Sequence, residues 1–233
     1  MKILLLTVAV SLTTLSFAQT SSVSMRETFS EFKKFGHIQG GESLQNYSDN
    51  NIKGSRYFPN TWETGSVTTT NGETMSNYLV LFDKQNQDVY VKEKDKSEIV
   101  LLDKDQLQQF SIDGHNFISG AKISGEPTAY YEQVAGKDDK VALYKLTTTK
   151  FIKADRQDPE RIKAGDFSDE YRDEITYFIK RSNQPLQKIK LTRNNLLKAL
   201  PEESKEVQSF LNAHANDGID ERVMRDLINN LNS

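Results

Sequence analysis

Short runs of β-branched and aromatic residues recur from Tyr57 to Leu191, about every ten positions between Val89 and Ile112, and that pattern limits the fold more than anything else in the chain. Ser66-Val67-Thr68-Thr69-Thr70 runs into Asn71-Gly72, the strongest short-range hairpin signal. Asn77-Tyr78-Leu79-Val80-Leu81-Phe82 then reads as the returning strand. Val89-Tyr90-Val91, Ile99-Val100-Leu101-Leu102 and Phe110-Ser111-Ile112 follow across polar turns. Tyr130–Val134, Val141–Leu146, Ile175–Ile179 and a short Leu186–Leu191 complete the series. The regular spacing up to Ile112 points to an antiparallel meander and not to strand–helix–strand units. The fold class this predicts is α+β: a strongly curved antiparallel β-meander of roughly seven to nine strands, with an N-terminal helix and short C-terminal helices.

The flanks change period. Ser24-Met25-Arg26-Glu27 fits a capping box, Met25, Phe29 and Phe32 follow at helical spacing, and Gly36 can end that helix. Residues 36–54, rich in Gly, Asn, Ser and Asp, read as a linker, and residues 153–169, with Pro159 and Gly165, as a charged loop. Beyond the sheet, Thr192 can cap a helix carrying Leu196, Leu197 and Leu200. Pro201 suits the start of the next, with Val207, Phe210, Leu211 and His214 at i, i+3, i+4 and i+7. Asn216-Asp217-Gly218 stops it, and Asp220 caps a last helix bearing Met224, Leu227, Ile228 and Leu231. Such short helices do not persist alone in water, so they must pack on each other or on the sheet. The organisation expected is residues 1–18, 19–53 (helix and linker), 54–191 (β domain) and 192–233 (helical segment packed on the β domain).

Residues 1–18 read as a secretory signal peptide: Lys2, an apolar run from Ile3 to Val10, and Ser16-Phe17-Ala18 before Gln19. Cleavage near Ala18 would leave 215 of the 233 residues, without a transmembrane segment. The expected location is the periplasm, with the extracellular medium as the alternative. Cysteine is absent, which excludes a disulfide framework and the thiol a lipid anchor requires. With Lys2 removed, 29 Lys+Arg face 33 Asp+Glu, and no block of like charge points to nucleic acid.

Gly54-Ser55-x-Tyr57, Trp62-x-x-Gly65-x-Val67, Asn77-Tyr78 and Asp83 form one recognisable run. A strand with Tyr177-Phe178 leading to Leu191-Thr192 and Leu-rich helices forms another. Over residues 51–233 the chain resembles a broad family of uncharacterised exported β-rich proteins of Bacteroidota with a helical C-terminal segment. The resemblance implies a sheet-based exported protein of the cell envelope. It brings no catalytic residue with it.

The inventory for chemistry is thin. His37, His115 and His214 are far apart in sequence without ligand spacing, HExxH is missing, and no metal site is expected. His214 lies on an apolar helical stripe, where a packed histidine is the simpler reading. No GxSxG, SxxK or phosphate-binding glycine loop occurs, and Gly36–Gly41 does not follow a strand, so no cofactor is expected. Five adjacent acidic pairs occur (Asp138-Asp139, Asp169-Glu170, Asp173-Glu174, Glu202-Glu203 and Asp220-Glu221), about the number that 33 acidic residues in 233 give by chance. Asn212–Glu221 looks like a calcium loop, but with Gly218 at position 6 the ligand positions 1, 3 and 12 fall on Ala213, Ala215 and Met224. Of the aromatic residues, Arg56-Tyr57-Phe58-Pro59-Asn60-Thr61-Trp62 forms a turn-like cluster just before the sheet. Arg56, Tyr57 and Trp62 there are the candidate binding surface, weighed against a role in plugging the sheet's end.

These absences lean away from an enzyme. The leading expectation is a non-catalytic exported protein, a binding or envelope-associated module whose partner is an envelope protein or a small ligand. One rival is a hydrolase using two Asp/Glu carboxylates about 5–10 Å apart in a cleft. The other is a small-ligand carrier with an apolar cavity of about 300 Å³ or more inside the curved sheet.

Overall fold

A computed structural model describes residues 34–39, 52–125, 128–136, 140–155, 157, 159, 163, 167–215 and 218–233. Their strands join one twelve-stranded sheet: β1 (Gly36–Gln39), β2 (Ile52–Lys53), β3 (Tyr57–Thr69), β4 (Thr74–Asp83), β5 (Asp88–Lys92), β6 (Ile99–Leu102), β7 (Leu107–Ile112), β8 (His115–Ser119), β9 (Tyr130–Gly136), β10 (Val141–Ile152), β11 (Asp169–Arg181) and β12 (Gln187–Ile189). The helices are α1 (Gly120–Ile123), α2 (Arg193–Ala199), α3 (Ser204–Ala213) and α4 (Glu221–Leu231). The order across the sheet is β1-β6-β5-β4-β3-β7-β8-β9-β10-β11-β12, with β2 beside β11. Two meanders, β3–β6 and β7–β12, are thus joined where β3 pairs with β7.

The expected seven to nine antiparallel strands are corrected in three respects. The sheet has twelve strands, and β2 lies parallel to β11, through Ile52↔Asp169 and Lys53↔Glu170. Residues 36–39 and 52–53, read as linker, are strands, and Gly36 opens β1 opposite Leu102. Runs of two and four residues carry too little alternation to be seen without the strands they pair with. The helix expected at Ser24–Phe35 and the signal segment lie outside the described residues, but for Lys34 and Phe35.

Asn71-Gly72 closes the β3–β4 hairpin as a three-residue loop. Gly72 N–H donates to Thr69 O (3.0 Å), Thr69 N–H donates to Glu73 O (2.9 Å), and Gly72 takes a φ of 87°. Beyond β6 the topology forces curvature. The end of β6 is level with the Phe58 end of β3, through Leu101↔Tyr90 and Tyr90↔Leu81. β7 starts opposite Thr69, at the other end of β3. Only residues 103–106 connect them, a link that reaches about 18 Å at full stretch. A flat sheet would need about 19 Å for the four lanes alone. The sheet therefore curls, and one apolar cluster draws on seven strands, from Val67 on β3 to Tyr130 on β9. Gly65 makes the β3–β7 crossing feasible, since a Cβ there would stand 2.1 Å from Ser111 O.

Within the curl, Phe82, Phe110, Phe117 and Tyr130 fill the space, with Phe110 and Phe117 stacked at 4.8 Å. From β9 onward the sheet no longer rolls over, and helices α2–α4 cover it. Leu196, Leu200, Val207, Leu211, Met224, Leu227 and Ile228 pack with Ala135, Val141, Leu143 and Ile179 into a second core. Gly136 (φ 81°) lets α4 come close, because a Cβ would lie 2.7 Å from Ile228 Cγ2. Asp220 caps α4 as the sequence predicts, its Oδ1 accepting from Val223 N at 2.9 Å. No described helix is long and apolar enough to cross a membrane.

Candidate functional site

The three residues singled out from sequence lie at the entry to β3. Tyr57 and Phe58 pair with Asp83 and Phe82, and pairing resumes only at Glu63↔Val80, so residues 59–62 form a bulge. The cluster is therefore the start of the sheet and not a turn before it. Pro59 is tolerated because a bulged residue owes the ladder no N–H. Arg56 is ion-paired to the fully buried Asp83, whose Oδ1 also accepts from the backbone N–H of Gln85 (2.9 Å) and Asn86 (3.2 Å). Tyr57 is buried with Leu81, Tyr90 and Ile99 on the outer face of the curl, and Trp62 is half-buried against them. Lys92 Nζ stands 4.5 Å from the Trp62 ring centroid. The sequence set thus stays together, with Arg56 and Tyr57 committed to internal partners.

A second polar group ties the two halves. Lys84, on the β4–β5 turn, donates to both oxygens of Asp173 on β11 (2.7 and 2.9 Å), and Thr149 Oγ1 donates to Asp173 Oδ1 (2.5 Å). The amide of the buried Gln87 donates to Thr147 O (3.1 Å) and accepts from Tyr130 N (3.0 Å). The side-chain polar atoms of Lys84, Gln87 and Thr149 are partnered here, whereas the buried Tyr130 hydroxyl has no hydrogen-bond partner among the described residues.

A third group spans the boundary between the two cores. The lanes Phe117↔Glu132, Glu132↔Lys145 and Lys145↔Tyr177 put these side chains in one row on one face. Glu132 is buried; its Oε1 lies 2.7 Å from His115 Nδ1 and its Oε2 2.7 Å from Lys145 Nζ. Lys145 Nζ also reaches Glu221 Oε2 at 3.1 Å, and Tyr177 O–H donates to that same oxygen at 2.9 Å. Burial works against the Lys145 charge, but its hydrogen bonds and ion pairs with Glu132 and Glu221 outweigh it and raise its pKa above that of a free lysine. Burial, then the bond to Glu221, likewise pushes the Tyr177 phenol up. Two carboxylates do converge here, but the ammonium occupies the place that a water or a glycosidic oxygen would take between them.

Among the described residues, the large apolar side chains left exposed are concentrated elsewhere. Ile175 is 53%, Phe167 49% and Phe151 36% exposed, all on the β10–β11 ribbon or the segment leading into β11. Phe151 and Tyr171 face each other across the ribbon with ring centroids 5.1 Å apart. Both strands run well past the Val141–Leu146 and Ile175–Ile179 predicted from sequence, through Thr147-Thr148-Thr149-Lys150 and Glu170–Glu174. Those stretches have too little apolar alternation to read as strand.

His115 is placed by a strand that the periodicity does not reveal. β8 follows the Asp113-Gly114 turn, where both residues have positive φ (49° and 77°); this dipeptide was the available signal. His214 stacks on Phe210 (4.2 Å), with Nδ1 2.9 Å from Phe210 O. Among the described residues no group of three or more His, Cys, Asp or Glu could hold a metal ion. The cavities described, of about 240, 370 and 450 Å³, are lined by none of the residues of the curled half's core. No family model, no curated protein and no solved structure matches this chain.

Proposed function

We propose that this chain is an exported, non-catalytic binding module that engages an envelope partner through its β10–β11 ribbon. The observation that carries the reading is the grouping of Phe151, Phe167 and Ile175, large apolar side chains left exposed on the β10–β11 ribbon and the segment leading into it. Buried aromatic and aliphatic anchors supply most of the energy of a protein interface, and a β-ribbon displays them in a fixed geometry. Lys145 between Glu132 and Glu221 speaks against the hydrolase reading, and the ring-filled curl against a carrier with a cavity inside it. Export rests on the Lys2–Ala18 pattern.

The test is a photo-cross-linking residue at position 175 of the exported protein, with the exposed position 94 as control. A discrete adduct from 175 that is missing from 94 is the expected result. No adduct at 175, or the same adducts from both positions, would refute the proposal.

A further inference from the structure

At the opposite end of the β10–β11 pair from the exposed ribbon, a cavity of about 370 Å³ opens between the start of β10, the end of β11 and the ends of the helices. Its charged lining is Lys140, Arg181, Glu202 and Glu203, two cations and two carboxylates. Ser182 and Gln184 add a hydroxyl and an amide that bond to no described residue, and Val141 and Leu231 add an apolar wall. Arg181 is the built part of the site: its side chain is 10% exposed, and Nη2 stands 2.7 Å from Glu202 Oε2 and 3.5 Å from Glu203 Oε1. Glu202 is 75% exposed, so it covers the guanidinium from solvent in a pair that a ligand carboxylate can displace at little cost. Glu203 is the unfinished part. Its Oε2 is shut off from solvent and accepts no hydrogen bond, although a buried carboxylate oxygen ordinarily has a donor.

From this arrangement we infer that the cavity binds a small zwitterion, an α-amino acid or the free ends of a short peptide. Its carboxylate replaces Glu202 on Arg181, with Lys140 nearby. Displacing Glu202 uncovers Glu203 Oε2, and the ligand's ammonium then supplies the donor that this oxygen lacks. The balanced charge of the lining disfavours a polyanion or a polycation, since either would leave two like charges facing it. The volume falls at the small end of ligand sites and suits one or two residues. The apolar wall gives an aliphatic side chain a surface. This site is separate from the β10–β11 patch, so either can fail without the other.

Calorimetric titration of the purified protein decides the matter, with L-alanine, L-alanyl-L-alanine and N-acetyl-L-alaninamide as probes. The first two distinguish a free amino acid from peptide ends, and the third keeps the side chain while removing both charges. Binding of at least one zwitterion, weakened tenfold or more in the blocked compound, is expected. Glu203→Gln should weaken that binding by a similar factor while melting at or above the wild-type temperature. Ile175→Asp should leave it unchanged. The inference is overturned if neither zwitterion binds at about 10 mM, or if the blocked compound binds equally well. It is also overturned if a folded Glu203→Gln protein keeps full affinity. The blocked-compound comparison uses the unmodified protein, so it holds even if the variant does not fold.

Discussion

The two halves of this sheet cover the same face by different means. Strands β3 to β8 roll over, so that Phe82, Phe110 and Phe117 from different strands meet one another. Strands β9 to β12 stay open, and three helices lay their leucine-rich stripes on them. The first solution depends on contacts between strands distant in sequence. The second depends on local helical periodicity and caps, together with a glycine at the docking point. Between them lies a polar row, Glu132–Lys145–Tyr177, whose tyrosine ring also packs against the helix-covered core.

The sharpest test of that contrast is truncation in each core. Phe110→Ala should cost about 3–5 kcal/mol and Leu227→Ala about 2–5 kcal/mol in urea unfolding. Because Lys84–Asp173 and the Gln87 bonds cross from one half to the other, each variant should still unfold in one transition by far- and near-ultraviolet circular dichroism. Two separated transitions in Leu227→Ala would make the halves independent units. Next comes the row between them. Glu132→Ala leaves Lys145 with Glu221 alone and should cost about 3 kcal/mol. Since Lys145 is raised in the folded state, its contribution is complete below about pH 10, the unfolded lysine range, and fades as pH climbs through the folded value. The alkaline fall in melting temperature should accordingly be shallower in Glu132→Ala than in the parent; equal slopes would remove Lys145 from the account. The smallest effect belongs to Asp220→Ala, about 1 kcal/mol for a lost cap, read in the same urea titrations. A cost near zero there would mean that packing alone holds α4.

The open half was more legible in the sequence than the curled one. Asp220, Val207, Leu211, Met224, Leu227 and Ile228 announce their helices because cap and stripe lie within a few residues. The strands Tyr78–Phe82, Val89–Val91 and Ile99–Leu102 were equally plain, being apolar on both faces of the curl. What alternation could not convey is that β7 returns to β3 instead of extending from β6, because that choice depends on a link of four residues and on Gly65. The Arg56–Trp62 cluster was found, but not that Arg56 answers to the buried Asp83. The Glu132–Lys145–Glu221 row was invisible, since its members come from three separate elements.

The pairing of β3 with β7 has a consequence for the order in which the chain can become safe from aggregation. One edge of β3 is satisfied at once by β4 through a local hairpin, whereas the other waits for residues 107–112. A chain appearing N-terminus first therefore carries an open β3 edge over Gly65–Thr69 while β4, β5 and β6 assemble on its far side. Ser66 and Thr68 alternate there with Gly65 and Val67, a stretch without charge to repel a neighbouring chain. Arrival of the short β7 quenches that edge and closes the curl in the same event, so the interval before residue 112 appears is when this molecule is most in need of a chaperone.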